Sequence, residues 1–122
     1  MKKEYLKEDL TREELLNLTK KFCEDVKNNV YSKEGNSMWV YWLSKMFLHA
    51  YARIMGKSDA FVKRNIQINC AHPGWVKTDL TGPEAPLTID QGALTPCSIF
   101  DLPWTISDKQ GKLFSDCKPI SF

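Results

Sequence analysis

The sequence Ser37-Met-Trp-Val-Tyr-Trp-Leu-Ser-Lys-Met-Phe-Leu-His-Ala-Tyr-Ala-Arg-Ile-Met-Gly56 is built from Leu, Met, Ala and aromatic residues, with no internal Gly or Pro. It predicts one helix of about five turns. Gly56 stands where a left-handed residue commonly ends a helix, and Arg53 in the last turn suits the helix dipole. Tyr41, Lys45, His49 and Arg53 recur every four positions and form one polar line along an otherwise apolar cylinder. A helix apolar on nearly every other face is expected to be buried. A membrane span is excluded, because Lys45, His49 and Arg53 would lie in the hydrocarbon.

Tyr41 and Lys45 are one turn apart, about 6 Å along the axis, so an ammonium can approach a phenol. A free phenol, with a pKa of about 10, is neither a poised acid nor a good base near neutrality. Bringing it to about 7–8 takes roughly 3–4 kcal/mol, which a solvated cation does not supply and a partly buried one can. The plain alternative is a lysine snorkelling past a packed tyrosine. Tyr-x-x-x-Lys alone does not decide between them.

Downstream, Asn65-Ile-Gln-Ile-Asn-Cys-Ala-His-Pro-Gly-Trp-Val-Lys-Thr-Asp79 alternates apolar and polar residues and predicts a strand ending at Pro73-Gly74. Tyr41-Trp-Leu-Ser-Lys45, Tyr51-Ala-Arg53 and His72-Pro-Gly-Trp-Val-Lys-Thr78, in this order, resemble the short-chain dehydrogenase/reductase family, in particular its carbonyl-reductase-like branch. The resemblance extends over nearly the whole chain, to Gly-Lys-Leu-Phe-Ser-Asp near the end. The family's Gly-rich turn Thr-Gly-x-x-x-Gly-x-Gly is missing, as are its Asn-Asn-Ala-Gly stretch and catalytic Ser; the first glycine is Gly35. The resemblance therefore implies residues 1–122 are a partial domain, the C-terminal half, with the N-terminal dinucleotide-binding half absent.

The chain has 122 residues, 43% of them apolar, enough for one modest core. A net charge of +2 announces no nucleic-acid partner. Cys23, Cys70, Cys97 and Cys117 show no Cys-x-x-Cys spacing and read as reduced thiols. His49 and His72 lie on separate elements, so no metal site is expected. The first residues carry no apolar run, which predicts a cytoplasmic chain without a signal peptide.

Residues 1–10 read as a charged loop. Thr11-Arg-Glu-Glu14 is a capping box opening a helix to about Asn28, with Leu15, Leu18, Phe22 and Val26 as its apolar stripe and Leu10 placed to staple to Leu15. Carbonyl-reductase-like members carry an inserted helix of this kind before the catalytic Tyr. The sequon Asn17-Leu-Thr19 falls inside that helix and is expected to be idle. Residues 28–35 read as a connection, with Asn36 or Ser37 as N-cap of the long helix. Lys57–Arg64 reads as a charged turn and Thr78–Pro86 as a loop, which in the family covers the substrate. Thr88-Ile-Asp-Gln91 opens a helix toward Phe100 that Pro96 should kink or end near Leu94 or Thr95. Asp101-Leu-Pro-Trp-Thr reads as a turn and Gly111–Asp116 as the last strand, parallel to the earlier one. The fold class is α/β, the C-terminal part of a doubly wound, Rossmann-like parallel sheet with flanking helices.

The resemblance assigns roles residue by residue. Tyr41 is the proton donor in carbonyl reduction, and Lys45 lowers its pKa and holds the nicotinamide ribose. Pro73, Gly74 and Val76 meet the nicotinamide and its carboxamide, and Thr78 offers a hydroxyl to the carboxamide or a phosphate. Trp75 could wall the pocket or merely pack, and His49 and Arg53 are structural. Ser37, one turn before Tyr41, is a poor substitute for the missing catalytic Ser. The family favours NADP(H) over NAD(H), although the discriminating residue is not in this chain, and the isolated chain is not expected to bind either. The expected partners are a small carbonyl or alcohol substrate, a second copy through the Ser37–Gly56 helix, or a complementary half. No nucleic acid or membrane is expected. The alternative reading is a non-catalytic remnant or a helix-mediated interaction module.

Overall fold

The computed structural model describes residues 2–28, 30, 37–102 and 110–120, with the backbone alone described at residues 2, 3 and 37–39. Three of the sequence readings therefore fall, wholly or partly, outside the described residues. These are the connection at 31–35, the N-cap of the long helix with the Ser37 hydroxyl, and the turn beyond Leu102.

Helix α2 (Arg12–Lys27) begins at the expected capping box. The Thr11 hydroxyl accepts the Glu14 N–H at 3.2 Å, and the Glu14 carboxylate accepts the Thr11 N–H at 2.8 Å. Those bonds draw the Glu14 carboxyl below its ordinary range, the Thr11 N–H contributing most and its hydroxyl next. Leu15 and Phe22 are the buried positions of α2, and the helix packs on α3 (Ser37–Gly56). Leu10 and Leu15 share one cluster with Tyr5 and Ala50, which Leu18, Met46, Phe47 and Ile54 pack against. Phe47 meets Tyr5 edge-on at 5.0 Å and Phe22 at 5.4 Å between ring centroids.

Residues 1–10 are not a plain loop. Lys2–Tyr5 forms a turn of helix, α1, and Tyr5 is 1% exposed. The alternation of charges hid this, because the segment is held from outside. Arg53 donates to the carbonyls of Tyr5 at 2.7 Å and Lys7 at 2.9 Å.

Gly56 is the last helical residue of α3 and does not adopt a left-handed conformation. Its reason is proximity: a Cβ there would lie 2.9 Å from the Gly111 backbone nitrogen, and one on Gly111 would lie 3.0 Å from the Arg53 Cα. Gly111, at φ 69°, supplies the left-handed turn instead. The charged turn after Gly56 contains one further helical turn, α4 (Asp59–Val62).

The sheet has three strands in the order β1-β2-β3. Strands β1 (Cys70–His72) and β2 (Leu113–Ser115) are parallel, with Ala71 opposite Phe114. The strand predicted from Ile66 is thus shorter at its start. Ile66 and Ile68 spend their backbone groups on the Gln110 side chain, and Gly111 N–H reaches the Ile68 carbonyl. The last strand is likewise shorter than Gly111–Asp116. It continues into an unforeseen antiparallel partner, β3 (Lys118–Ile120), through Asp116 and Cys117 at φ 49° and 60°. The sheet is therefore mixed. Helix α5 (Ile89–Phe100) runs through Pro96 without ending. Proline removes one hydrogen bond, whereas a capping box at Thr88 and a buried face at Gly92 and Thr95 hold the helix ahead of it, and the Asp101 N–H caps it beyond. No helix among the described residues is long and apolar enough to cross a membrane.

Candidate active site

An open groove of about 960 Å³ lies between α3 and the strand β1 with the turn that follows it. Tyr41, Lys45 and His49 line one wall, and Cys70, His72, Pro73 and Gly74 line the other. The fourfold spacing on α3 sets the first wall. The second is set by β1, whose backbone is tied to β2 on one edge; no strand of the described residues pairs with its other edge.

The Lys45 ammonium sits 5.3 Å from the Tyr41 ring centroid, over the face of the ring. This is a cation–π placement, which leaves the phenol oxygen and the ammonium hydrogens available. Tyr41 is 59% and Trp42 64% exposed, so α3 is not buried on nearly every face as its composition predicted. Phe47 and Ala50 are covered in the core, whereas Trp42, Leu48 and Tyr51 on the groove side are open. Ser44 donates to the Tyr41 carbonyl at 2.6 Å, and Arg53 serves the N-terminal segment.

His49 is half-buried, and burial lowers its pKa below the ordinary 6.5, with His72 and then Lys45 adding repulsion. The Cys70 thiol is pushed up by burial, which leaves it a poor nucleophile. Among the described residues no cluster of His, Cys, Asp and Glu can hold a metal ion.

At the turn, Gly74 has φ +81°, and a Cβ there would lie 2.4 Å from Leu87 Cδ1. Both the backbone conformation and the Leu87 side chain demand glycine. Its N–H donates to His72 Nδ1 at 3.0 Å, so a neutral His72 carries its proton on Nε2, facing away from the turn. His72 had no role in the sequence reading; an imidazole two residues before a glycine, able to act as an Asx-type acceptor, was the available signal. Val76 and Thr78 lie beyond the groove lining. Val76 forms a single bridge with Leu87, and its side chain fills the space that Gly92 leaves open on α5. The Thr78 hydroxyl is 3.0 Å from that of Thr81, a residue the sequence reading passed over. Tyr41, Lys45, Pro73 and Gly74 thus share one groove, while Val76 and Thr78 continue past its rim.

No family model matches the chain. Carbonyl reductase (NADPH) 1 of Sus scrofa is 34% identical over 124 residues, covering 100% of this chain and 43% of the relative. Carbonyl reductase (NADPH) 3 of Rattus norvegicus is 37% identical over 109 residues, covering 88% and 39%. Salutaridine reductase from Papaver somniferum superposes with a TM-score of 0.74 at 29% identity, covering 94% of this chain and 38% of that one. The chain spans less than half the length of these relatives.

Proposed function

Since this chain belongs, over less than half of its relatives' length, to the carbonyl-reductase branch of the short-chain dehydrogenase/reductase family, we propose that it forms the C-terminal, proton-donating part of an NADP(H)-dependent oxidoreductase acting on a ketone, an aldehyde or the corresponding alcohol. One observation carries this reading. Tyr41 and Lys45 on α3 line the same groove as Pro73 and Gly74, which close a strand at its carboxyl end.

The donor set fits the nicotinamide end of a dinucleotide. Lys45 offers ammonium hydrogens to ribose hydroxyls, and the Val76 N–H, two residues past Gly74, has no partner among the described residues. The pyrophosphate end is unanswered, because none of the chain's glycines falls in a Gly-rich turn. When bound, the reduced nicotinamide supplies the hydride. Tyr41 donates its phenolic proton to the carbonyl oxygen as negative charge develops there, and takes it back in the reverse direction. Lys45 stabilises the phenolate left behind and, with its remaining hydrogens, orients the ribose. Names of relatives that specify NADPH favour NADP(H) over NAD(H).

A complementary half upstream is the natural cover for the free edge of β1. A second reading, an interaction module or a dimer formed through α3, draws on the exposure of Trp42 and Leu48.

The test is in two stages. Titration of the chain with NADPH, followed by its fluorescence, is expected to give no saturable micromolar binding. With the upstream half restored, Tyr41→Phe is expected to lower carbonyl reduction by about 10²–10⁴-fold while NADPH binding persists. Retained activity in that variant would remove Tyr41 as the acid.

A further inference from the structure

We infer that Gln110 is a positioning residue: its side-chain amide stands in for a strand peptide and fixes the lead-in of β1 against the C-terminal end of α3, which sets the two walls of the groove relative to each other. The value of that for catalysis rests on the reading just given, whereas the bridge itself does not.

In a parallel ladder, alternate residues of a strand turn both their N–H and their C=O toward the same neighbour. Ahead of β1 those residues are Ile66 and Ile68. The Ile68 N–H donates to Gln110 Oε1 at 3.0 Å, and Gln110 Nε2 donates to the Ile66 carbonyl at 2.9 Å. A primary amide offers one carbonyl and one NH₂ group, and here each meets a backbone group of the opposite kind. Main-chain bonds take over beyond it, from the Gly111 N–H to the Ile68 carbonyl at 2.9 Å and from the Cys70 N–H to the Lys112 carbonyl at 2.8 Å. The pairing of β1 with β2 thus begins early, on a side chain.

Gln110 also touches the other wall. A Cβ on Gly56 would lie 3.2 Å from Gln110 Cγ, and one on Gly111 would lie 3.0 Å from the Arg53 Cα. Residues 110 and 111 therefore rest on the last turn of α3 while they hold Ile66 and Ile68. From Arg53 back to Tyr41 the helix runs about 18 Å. From Ile68 on to Pro73 an extended chain runs about 17 Å. The two walls start at one junction and reach Tyr41 and Pro73 over matched lengths. Ile68 and Asn69 line the same groove as Tyr41 and Gly74, so a lead-in that lifts away widens the space they share.

The experiment is hydrogen exchange on the 122-residue chain, in whatever assembled form it adopts, comparing the wild type, Gln110→Met and Gln110→Glu. Amide exchange at Ile68 is read as protection relative to Leu15, whose N–H bonds the Thr11 carbonyl in α2. Histidine C2–H exchange gives the titration midpoint of His49. That imidazole is faced by Lys45 and Arg53 from its own helix, by His72 and Cys70 across the groove, and by Tyr5 from the N-terminal segment. Met keeps the bulk of Gln without its hydrogen bonds, so Gln110→Met is expected to lose protection at Ile68 about tenfold. As the walls part, burial and the repulsion from His72 weaken, and the His49 midpoint is expected to rise toward 6.5. An ionised Glu brings acceptors alone to the Ile66 carbonyl, whereas a protonated one restores a donor beside an acceptor. Gln110→Glu is therefore expected to match Gln110→Met near pH 7 and to regain protection at Ile68 at about pH 4.

Wild-type protection at Ile68 in Gln110→Met overturns the bridge. Lost protection with an unmoved His49 midpoint reduces it to a local contact and overturns the positioning role. A Gln110→Glu chain that gains nothing at the lower pH overturns the match of donor and acceptor, including where Gln110→Met fails to fold. No cofactor enters the experiment, so each of these results leaves the nicotinamide reading where it stands, and the NADPH titration and Tyr41→Phe test that reading separately.

Discussion

At the scale of single residues, spacing was legible and proximity was not. Tyr41 and Lys45 meet because they are four apart on a helix, which the sequence states outright. Gly56 invites a cap reading from its position, yet its cause is the Gly111 backbone, 55 residues further along the chain. Thr81 became visible only when its hydroxyl was seen to serve both Val76 and Thr78. His49 makes a pH-dependent prediction. Burial, then His72 and Lys45, depress its pKa in the folded chain, while the unfolded chain takes up a proton near 6.5. The unfolded state therefore binds more protons as pH falls through that value, and stability declines below it. The contribution from Glu14 is lost only at lower pH, as its carboxyl titrates below the ordinary 4.5. Denaturant midpoints measured between about pH 8 and pH 5.5 should fall below pH 6.5, and His49→Gln should flatten that fall. Equal slopes in both chains would show that His49 does not carry it.

Among the elements, the long helices were readable because capping boxes and periodicity are local. Both boxes, at Thr11 and Thr88, form as their residues dictate. What escaped were features decided by neighbours. Pro96 leaves α5 intact because Thr95 is buried and accepts the Cys117 N–H at 3.2 Å, anchoring the helix to the hairpin. The hairpin was hidden because its turn is Asp116-Cys117, where Asn-Gly or Asp-Gly would have announced two left-handed residues, and because Pro119 argues against a strand. Asp tolerates the left-handed region better than Cys, whose conformation there costs about 1–2 kcal/mol. Glycine's greater freedom in the unfolded chain returns part of that gain. Cys117→Gly is therefore expected to stabilise the chain by up to about 1 kcal/mol, read from urea unfolding. A destabilised variant would mean that the thiol packs usefully.

For the whole molecule, the fold class followed from the order of elements, but the size of the uncovered surface did not. Trp42, Leu48 and Tyr51 are exposed along α3, and no strand of the described residues pairs with the outer edge of β1. Covering each large side chain is worth about 1.5–3 kcal/mol, so leaving several open removes an amount comparable to a domain's net stability of about 5–15 kcal/mol. The isolated chain is expected to aggregate, to dimerise through α3 or to capture a complementary half. Size-exclusion chromatography combined with chemical denaturation checks this. A monomer that unfolds cooperatively with a normal denaturant slope would show the chain to be a self-sufficient domain. The clasp of Arg53 on the Tyr5 and Lys7 carbonyls has a further consequence, one of timing. On the ribosome these two carbonyls wait for their donor until residue 53 has followed them, which at about 5–20 residues per second is a delay of several seconds. Through that interval the segment around Tyr5 stays open to chaperones and proteases, and the guanidinium, arriving late, is what retires it from their reach.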